Sequence, residues 1–306
     1  MRSKVIIISM AIFIIIACGQ TIKNKQKQEE NDSLQTIADT AMHLLDTNLV
    51  SDDFYYGDDA TISNEEWEED TLFGYIKPKE IDTANFAFNL KPSGSYKKIK
   101  EEIISERQRL NKLYLSKKDS VWKKEILDSA NIYVTNTLLN KIIPHWYGMP
   151  WDFSGYSAIP QHGEVGCSYF TSNTLLHMGF NVSRYLLAQQ GPENEAKSLD
   201  QNYKTYKADE NFSYEEINIA LLKQIIKENK PGLYFVGLSN HVGYLLIHEN
   251  NLFFIHSNYG TLKVMLEYAQ TSEEFLDSQY YLAKITHNDE LIRKWLLNEE
   301  IKVFRD

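Results

Sequence analysis

The chain has 306 residues with 32 Lys and Arg against 42 Asp and Glu, a formal net charge of −10, and only two cysteines. Hydrophobic residues at 43% and aromatics at 12% supply a packed core, which excludes global disorder. The acidic balance excludes nucleic acid or another polyanion as the main partner, because phosphate binding needs a surplus of cations. Two cysteines make neither a disulfide framework nor a Cys-rich zinc site.

The N-terminus reads as an address. Met-Arg-Ser-Lys is followed by an apolar run from Val5 to Ala17 and then Cys18. A basic start, a short apolar stretch and a small residue before the cut describe a secretory signal over 1–17. The run is shorter than the roughly 20 apolar residues of a spanning helix. Ile15-Ile16-Ala17-Cys18 resembles a bacterial lipobox, which implies a lipid on Cys18 and a mature chain beginning there. Gly19 and Gln20 follow, with no Asp at the second position; by that resemblance the protein is expected in the cell envelope, anchored to the outer membrane and facing the periplasm.

Residues 18–95 read as an acidic, largely disordered tether, with nine acids between 51 and 70 and little periodicity. A helical lead-in over 96–118 follows, in which Ile99, Ile103, Ile104, Leu110, Leu113 and Tyr114 recur at helical spacing. The catalytic domain is expected over 119–306. Asp119 or Ser120 caps a second helix carrying Trp122, Ile126, Ala130, Tyr133 and Leu138, closed off by Pro144, Gly148 and Pro150. A short helix is expected from Cys167 to Met178, with Gly179 as its C-terminal cap.

Residues 190–213, rich in Gln, Asn, Glu and Lys, read as an inserted loop. Ser213 and Glu216 form a capping box for a helix that ends near Lys227, before Pro231-Gly232. Strands are expected over Leu233–Leu238, His241–His248, Leu252–Ser257 and near Tyr280–Ile285, and a last helix from Asp289. Helices first and an antiparallel sheet after them give an α+β fold class.

Cys167 is the most informative residue. With Cys18 lipidated it has no cysteine to pair with, and an unpaired thiol in an oxidising compartment calls for a use. It stands where a loop enters a helix, and the free N–H groups there favour a thiolate. A thiol nucleophile needs a base, and the base needs a polar group to orient it. Strand alternation puts His241, Gly243 and Leu245 on one face, and His256 joins that face. A turn at Asn250-Asn251 sets His256 against Leu245, whereas a turn centred on Glu249-Asn250 sets it against Gly243. Only the second register makes a compact triad, although Asn-Asn, which tolerates positive φ, locally favours the first. His248 falls on the other face, His145 and His177 lack the pattern, and His162 is a candidate only for lining the cleft.

The order Trp-Tyr-Gly-Met-Pro-Trp (146–151), Gly155, Cys167-Ser168 at a helix start, His-Val-Gly-Tyr (241–244) and Phe-Ile-His (254–256) resembles the NlpC-type cell-wall peptidases. The resemblance covers roughly residues 120–285. It implies a papain-like fold, with the nucleophile at a helix N-terminus and helices packed on an antiparallel sheet. It implies hydrolysis of an amide bond in peptidoglycan stem peptides, with Cys167 as nucleophile, His241 as base and His256 as the orienting group. Trp151, Gln161 and Ser168 are the candidates for oxyanion and substrate contacts; Gln161 stands six residues before Cys167, the spacing of the papain oxyanion glutamine. Two departures stand out: Gly166 where the family carries Asp, and Trp151 where it carries Tyr. No cofactor and no metal are expected, since no glycine-rich phosphate loop and no His-Glu-x-x-His helix is present. The alternatives are a papain-like acyltransferase or lipid esterase, and a lipoprotein that binds peptidoglycan or a partner without catalysis. The sequence leaves the oligomeric state open.

Cys18→Ser is expected to move the protein out of the membrane fraction of fractionated cells. An unchanged distribution would place the anchor elsewhere.

Overall fold

The computed structural model describes residues 90–305 except positions 117, 208–213 and 249. The signal segment, Cys18, the acidic stretch up to residue 89 and the Ser213 cap lie outside the described residues. No helix among the described residues is long and apolar enough to cross a membrane.

The chain is α+β. Helix α1 spans Tyr96–Ser116 and α2 spans Ser120–Thr137. Of the two expected caps it is Asp119 that caps α2, its Oδ1 accepting from Val121 N–H at 2.7 Å. The helical path then continues as one wide turn, Leu138–Ile142, and one tight turn, Ile143–Trp146. Helix α3 is Cys167–His177, and Gly179 takes φ +89° just past its end.

The segment expected to be an inserted loop is built structure instead. It holds α5 (Pro192–Leu199) and strand β1 (Lys204–Lys207), preceded by the short α4 (Arg184–Ala188). Pro192 begins α5 at a position where its missing N–H costs nothing. The buried stripe of α5 is Glu195, Ala196, Ser198 and Leu199. One polar member, Ser198, and one charged-type member, Glu195, hide that stripe from a reading based on apolar periodicity.

Helix α6 (Tyr214–Glu228) precedes strands β2 (Gly232–Gly237), β3 (Val242–His248), β4 (Asn251–Asn258), β5 (Lys263–Tyr268) and β6 (Gln279–Lys284), and α7 (Asp289–Leu297) follows. The six strands form one antiparallel sheet in the order β1-β6-β2-β3-β4-β5. The two edge strands, β1 and β5, are those the sequence reading missed. One face of the sheet, with Leu233, Phe235, Val242, Tyr244, Leu246, Phe253 and Ile255, joins the large core under α1, α2, α3 and α7. The other face, with Tyr234, Val236, Leu245, Ile247 and Phe254, packs under α6.

The lead-in helix is part of that core. Tyr96, Ile99, Ile103 and Leu110 are buried in it. Tyr96 Oη accepts from Trp146 Nε1 at 3.0 Å and lies 2.9 Å from His177 Nδ1. Burial drives His177 down to about 3, so its ring is neutral and takes the Tyr96 proton as acceptor. The body also begins before the expected boundary at 96, because Leu90 is buried with the same cluster.

Candidate functional site

Cys167 opens α3, with Gly166 as the residue before the first turn. Two loop bonds fix that entry. Val165 N–H donates to Pro150 O at 3.0 Å, and Gly166 N–H donates to Gly155 O at 2.8 Å. A Cβ on Gly166 would stand 3.3 to 3.4 Å from the carbonyl oxygens of Asp152, Phe153 and Gly155. An Asp there would push its side chain out from among three carbonyl oxygens, which gives the Gly166 departure a local steric and electrostatic reason.

The Val242 N–H at the start of β3 and the hydroxyl and N–H of Ser168 act on the thiol to favour its ionised form. These stabilise the thiolate, as the free N–H groups of a helix start do. Burial and the Glu195 charge act the other way, burial most strongly, and the thiol is pushed up. The resting sulfur is therefore protonated and needs a base.

The candidate base His241 is next door in sequence to Val242, whose N–H favours the Cys167 thiolate. His241 precedes Val242 at the end of a two-residue turn, Ser239-Asn240, closed by Leu238 N–H to His241 O at 2.8 Å. That turn is tied down through Ser239, whose N–H and Oγ donate to the Asp277 carboxylate at 2.9 and 2.6 Å. His241 is 4% exposed and His256 is fully buried.

Strands β3 and β4 pair in the compact register. Tyr244 is opposite Ile255 and His248 opposite Asn251, which continues to Gly243 opposite His256. The turn is thus residues 249 and 250, Glu249 itself lying outside the described residues. Asn250 takes φ +67°. The expected conflict between turn chemistry and site geometry does not arise, because Asn250 belongs to the turn in both registers and supplies its left-handed residue in this one.

His241 Nε2 lies 2.7 Å from His256 Nδ1, and His256 Nε2 lies 2.8 Å from Glu267 Oε1. Glu267 Oε1 also accepts from Ser272 Oγ at 2.5 Å and Asn258 Nδ2 at 3.4 Å. Two further donors mark the Glu267 carboxylate as an acceptor, so His256 gives it the Nε2 proton. His256 Nδ1 is then the lone-pair nitrogen, and His241 must donate to it from Nε2. His241 Nδ1 is left as a free base. Burial holds both rings well below the usual histidine range, and the two rings cannot both take a proton so close together, so both are neutral at pH 7. Burial raises Glu267 while its Ser272 and Asn258 bonds lower it.

The relay has a steric condition. Phe254 stacks on His256 with ring centroids 3.9 Å apart and meets His241 edge-on at 5.7 Å. A Cβ on Gly243 would lie 2.6 Å from the Phe254 ring, 2.7 Å from Ile255 O and 2.9 Å from His256 Cβ. Only a hydrogen at 243 lets β4 lay these rings across β3.

The other sequence candidates divide. Trp151 is near the relay: its ring packs against Tyr259 at 6.2 Å, and Tyr259 meets the His241 ring edge-on at 5.2 Å. Ser168 follows Cys167 at the helix start, and its Oγ lies 2.7 Å from Glu195 Oε1. Gln161 does not join them. Its Nε2 donates to His145 O at 2.8 Å and Tyr147 O at 2.9 Å, so both amide protons hold the 145–147 turn and neither serves an oxyanion. His162 is exposed, His145 is buried in the core, and His177 is partly buried.

Glu267 and Glu195 are the members that sequence reasoning missed. Each left a signal, a lone carboxylate inside an otherwise buried stripe: Val264, Met265 and Leu266 beside Glu267, Ala196 and Leu199 beside Glu195. Searches against protein-family models, curated proteins and solved structures find no match to the chain.

Gly243→Ala is expected to lower stability by about 1–3 kcal/mol through overpacking. Chemical denaturation measures that loss. A variant as stable as the parent would mean that the rings cross β3 with room to spare.

Proposed function

We propose that this protein is a papain-like cysteine hydrolase of the NlpC type, acting on an amide bond in peptidoglycan stem peptides. The observation that carries the chemistry is the buried Glu267–His256–His241 relay, which ends at the residue before Val242, whose N–H favours the Cys167 thiolate. The substrate class comes from the Cys-Ser, His-Val-Gly and Ile-His resemblance.

In this reading His241 Nδ1 takes the Cys167 proton as the sulfur attacks the scissile carbonyl. The imidazolium that forms is balanced through His256 by the Glu267 carboxylate, which stays ionised. The carbonyl oxygen gains negative charge and is held by the Cys167 backbone N–H, with the Trp151 indole N–H as the candidate second donor. His241 then gives its proton to the leaving amine. Water attacks the thioester, His241 receives the water proton, and the acid product departs with the thiol restored. Lipid on Cys18 would keep this chemistry at the inner face of the outer membrane, within reach of the cell wall.

The test is incubation of the full chain with purified muropeptides and mass analysis of the products. Parent protein is expected to release a new amine and carboxylate pair, and Cys167→Ala and His241→Ala to abolish turnover. Cleavage by Cys167→Ala at the parental rate would contradict the assignment. Intact muropeptides with the parent protein would contradict the substrate class.

A further inference from the structure

Beside the sulfur lies a second polar pair that the mechanism above does not use. Glu195 on α5 is fully buried, and its only hydrogen bond among the described residues is Oε1 with Ser168 Oγ at 2.7 Å. Its other oxygen, Oε2, is buried with no hydrogen-bond partner. An ionised carboxylate with one bare buried oxygen is costly, whereas the carbonyl oxygen of a neutral acid is far less so. Burial accordingly pushes Glu195 up to about 8, only partly opposed by the Ser168 bond.

Ser168 has one hydroxyl proton and two neighbours that want it, Glu195 and the Cys167 sulfur. Were Glu195 ionised, the proton would go to the carboxylate, and the negative charge would oppose the thiolate. With Glu195 protonated, the acid donates to Ser168 Oγ and the Ser168 proton turns to the sulfur. We infer that Glu195 is a positioning residue kept as the neutral acid, which orients the Ser168 hydroxyl toward Cys167 and withholds a negative charge from it. This deepens the reading of Cys167 as nucleophile and rests on it. It also gives α5 a purpose: the helix carries a carboxylic acid to the back of the nucleophile.

The surroundings leave Glu195 under the control of this pair. The groups that feel its charge are Cys167 on α3 and Tyr244 on β3. Neighbouring charges are engaged elsewhere: Arg184 on α4 with Tyr156 O and Asn173 Oδ1, Lys197 over the Phe304 ring, and Glu193 with Tyr203. On the strands packed against α5, Tyr234 of β2 donates to Lys230 O, Tyr281 of β6 accepts from Gln279, and Lys284 ends β6. None of these contributes to the Glu195 shift, which consists of burial and the Ser168 bond.

The test is the rate of Cys167 alkylation by iodoacetamide in the full chain, read by mass spectrometry of the Cys167 peptide from about pH 6 to about pH 10. This needs no substrate. Glu195→Gln, whose amide still donates to Ser168, is expected to match the parent near pH 6 and to react several-fold faster near pH 9, where the parent carries the carboxylate. Glu195→Leu, which lacks the donor, is expected to react several-fold more slowly than Glu195→Gln near pH 6. Should either variant fail to fold, the carboxyl carbon of Glu195 in the parent is read by NMR at pH 7. A protonated signal supports the inference, and an ionised one overturns it. Superimposable alkylation profiles for parent, Gln and Leu variants also overturn it, while leaving muropeptide cleavage by Cys167 untouched. Conversely, cleavage by Cys167→Ala would remove the catalytic reading without altering these profiles.

Discussion

The site depends on one steric fact: β4 can cross β3 with its aromatic face only where β3 offers a glycine. Gly243 admits Phe254 and His256, and this register brings the two histidine rings to 2.7 Å. A slip of one residue would turn His256 to the opposite face, and a slip of two would carry it toward Leu245. Each alternative strands a buried imidazole without the carboxylate that orients it, at a cost comparable to a lost buried hydrogen bond. Packing and polar satisfaction therefore select the same register, and the turn at Asn250 is compatible with it.

From that register the protonation pattern follows by counting donors and acceptors. Glu267 receives protons from Ser272, Asn258 and His256, which leaves one arrangement for the two rings. The relay is buried throughout, so in the proposed mechanism the charge formed during proton transfer would be balanced by the Glu267 carboxylate rather than by water. Glu195 and Ser168 form a second pair, in which, on the inference above, a carboxyl group serves by staying neutral. Burial raises both glutamates of the site, and their partners differ: several donors for Glu267, a single hydroxyl for Glu195.

Much of this was legible in the sequence. The alternation His241-Val242-Gly243 and Phe254-Ile255-His256 placed both histidines on one face, and the Gly-Cys-Ser step placed the thiol at a helix start. Asp119 as cap and Gly179 as terminator read correctly because their roles are local. What escaped detection depended on partners distant in the chain. Strand β5 carries Glu267, which needs Ser272 and His256 before its burial makes sense. Helix α5 buries Glu195 and Ser198 among its contacts, so its inward stripe reads as polar. Gln161 misled through spacing alone, since only the fold reveals that its amide is spent on the carbonyls of residues 145 and 147.

The central claim is that the relay leaves His241 Nδ1 unprotonated and available to the Cys167 thiol. Nitrogen-15 NMR of the imidazole rings in the resting protein at pH 7 tests it directly, since the two ring nitrogens resonate differently with and without a proton. The account predicts protons on Nε2 of both His241 and His256 and none on either Nδ1. A proton on His241 Nδ1 would contradict it, because the relay would then run in the opposite sense and the base would be blocked.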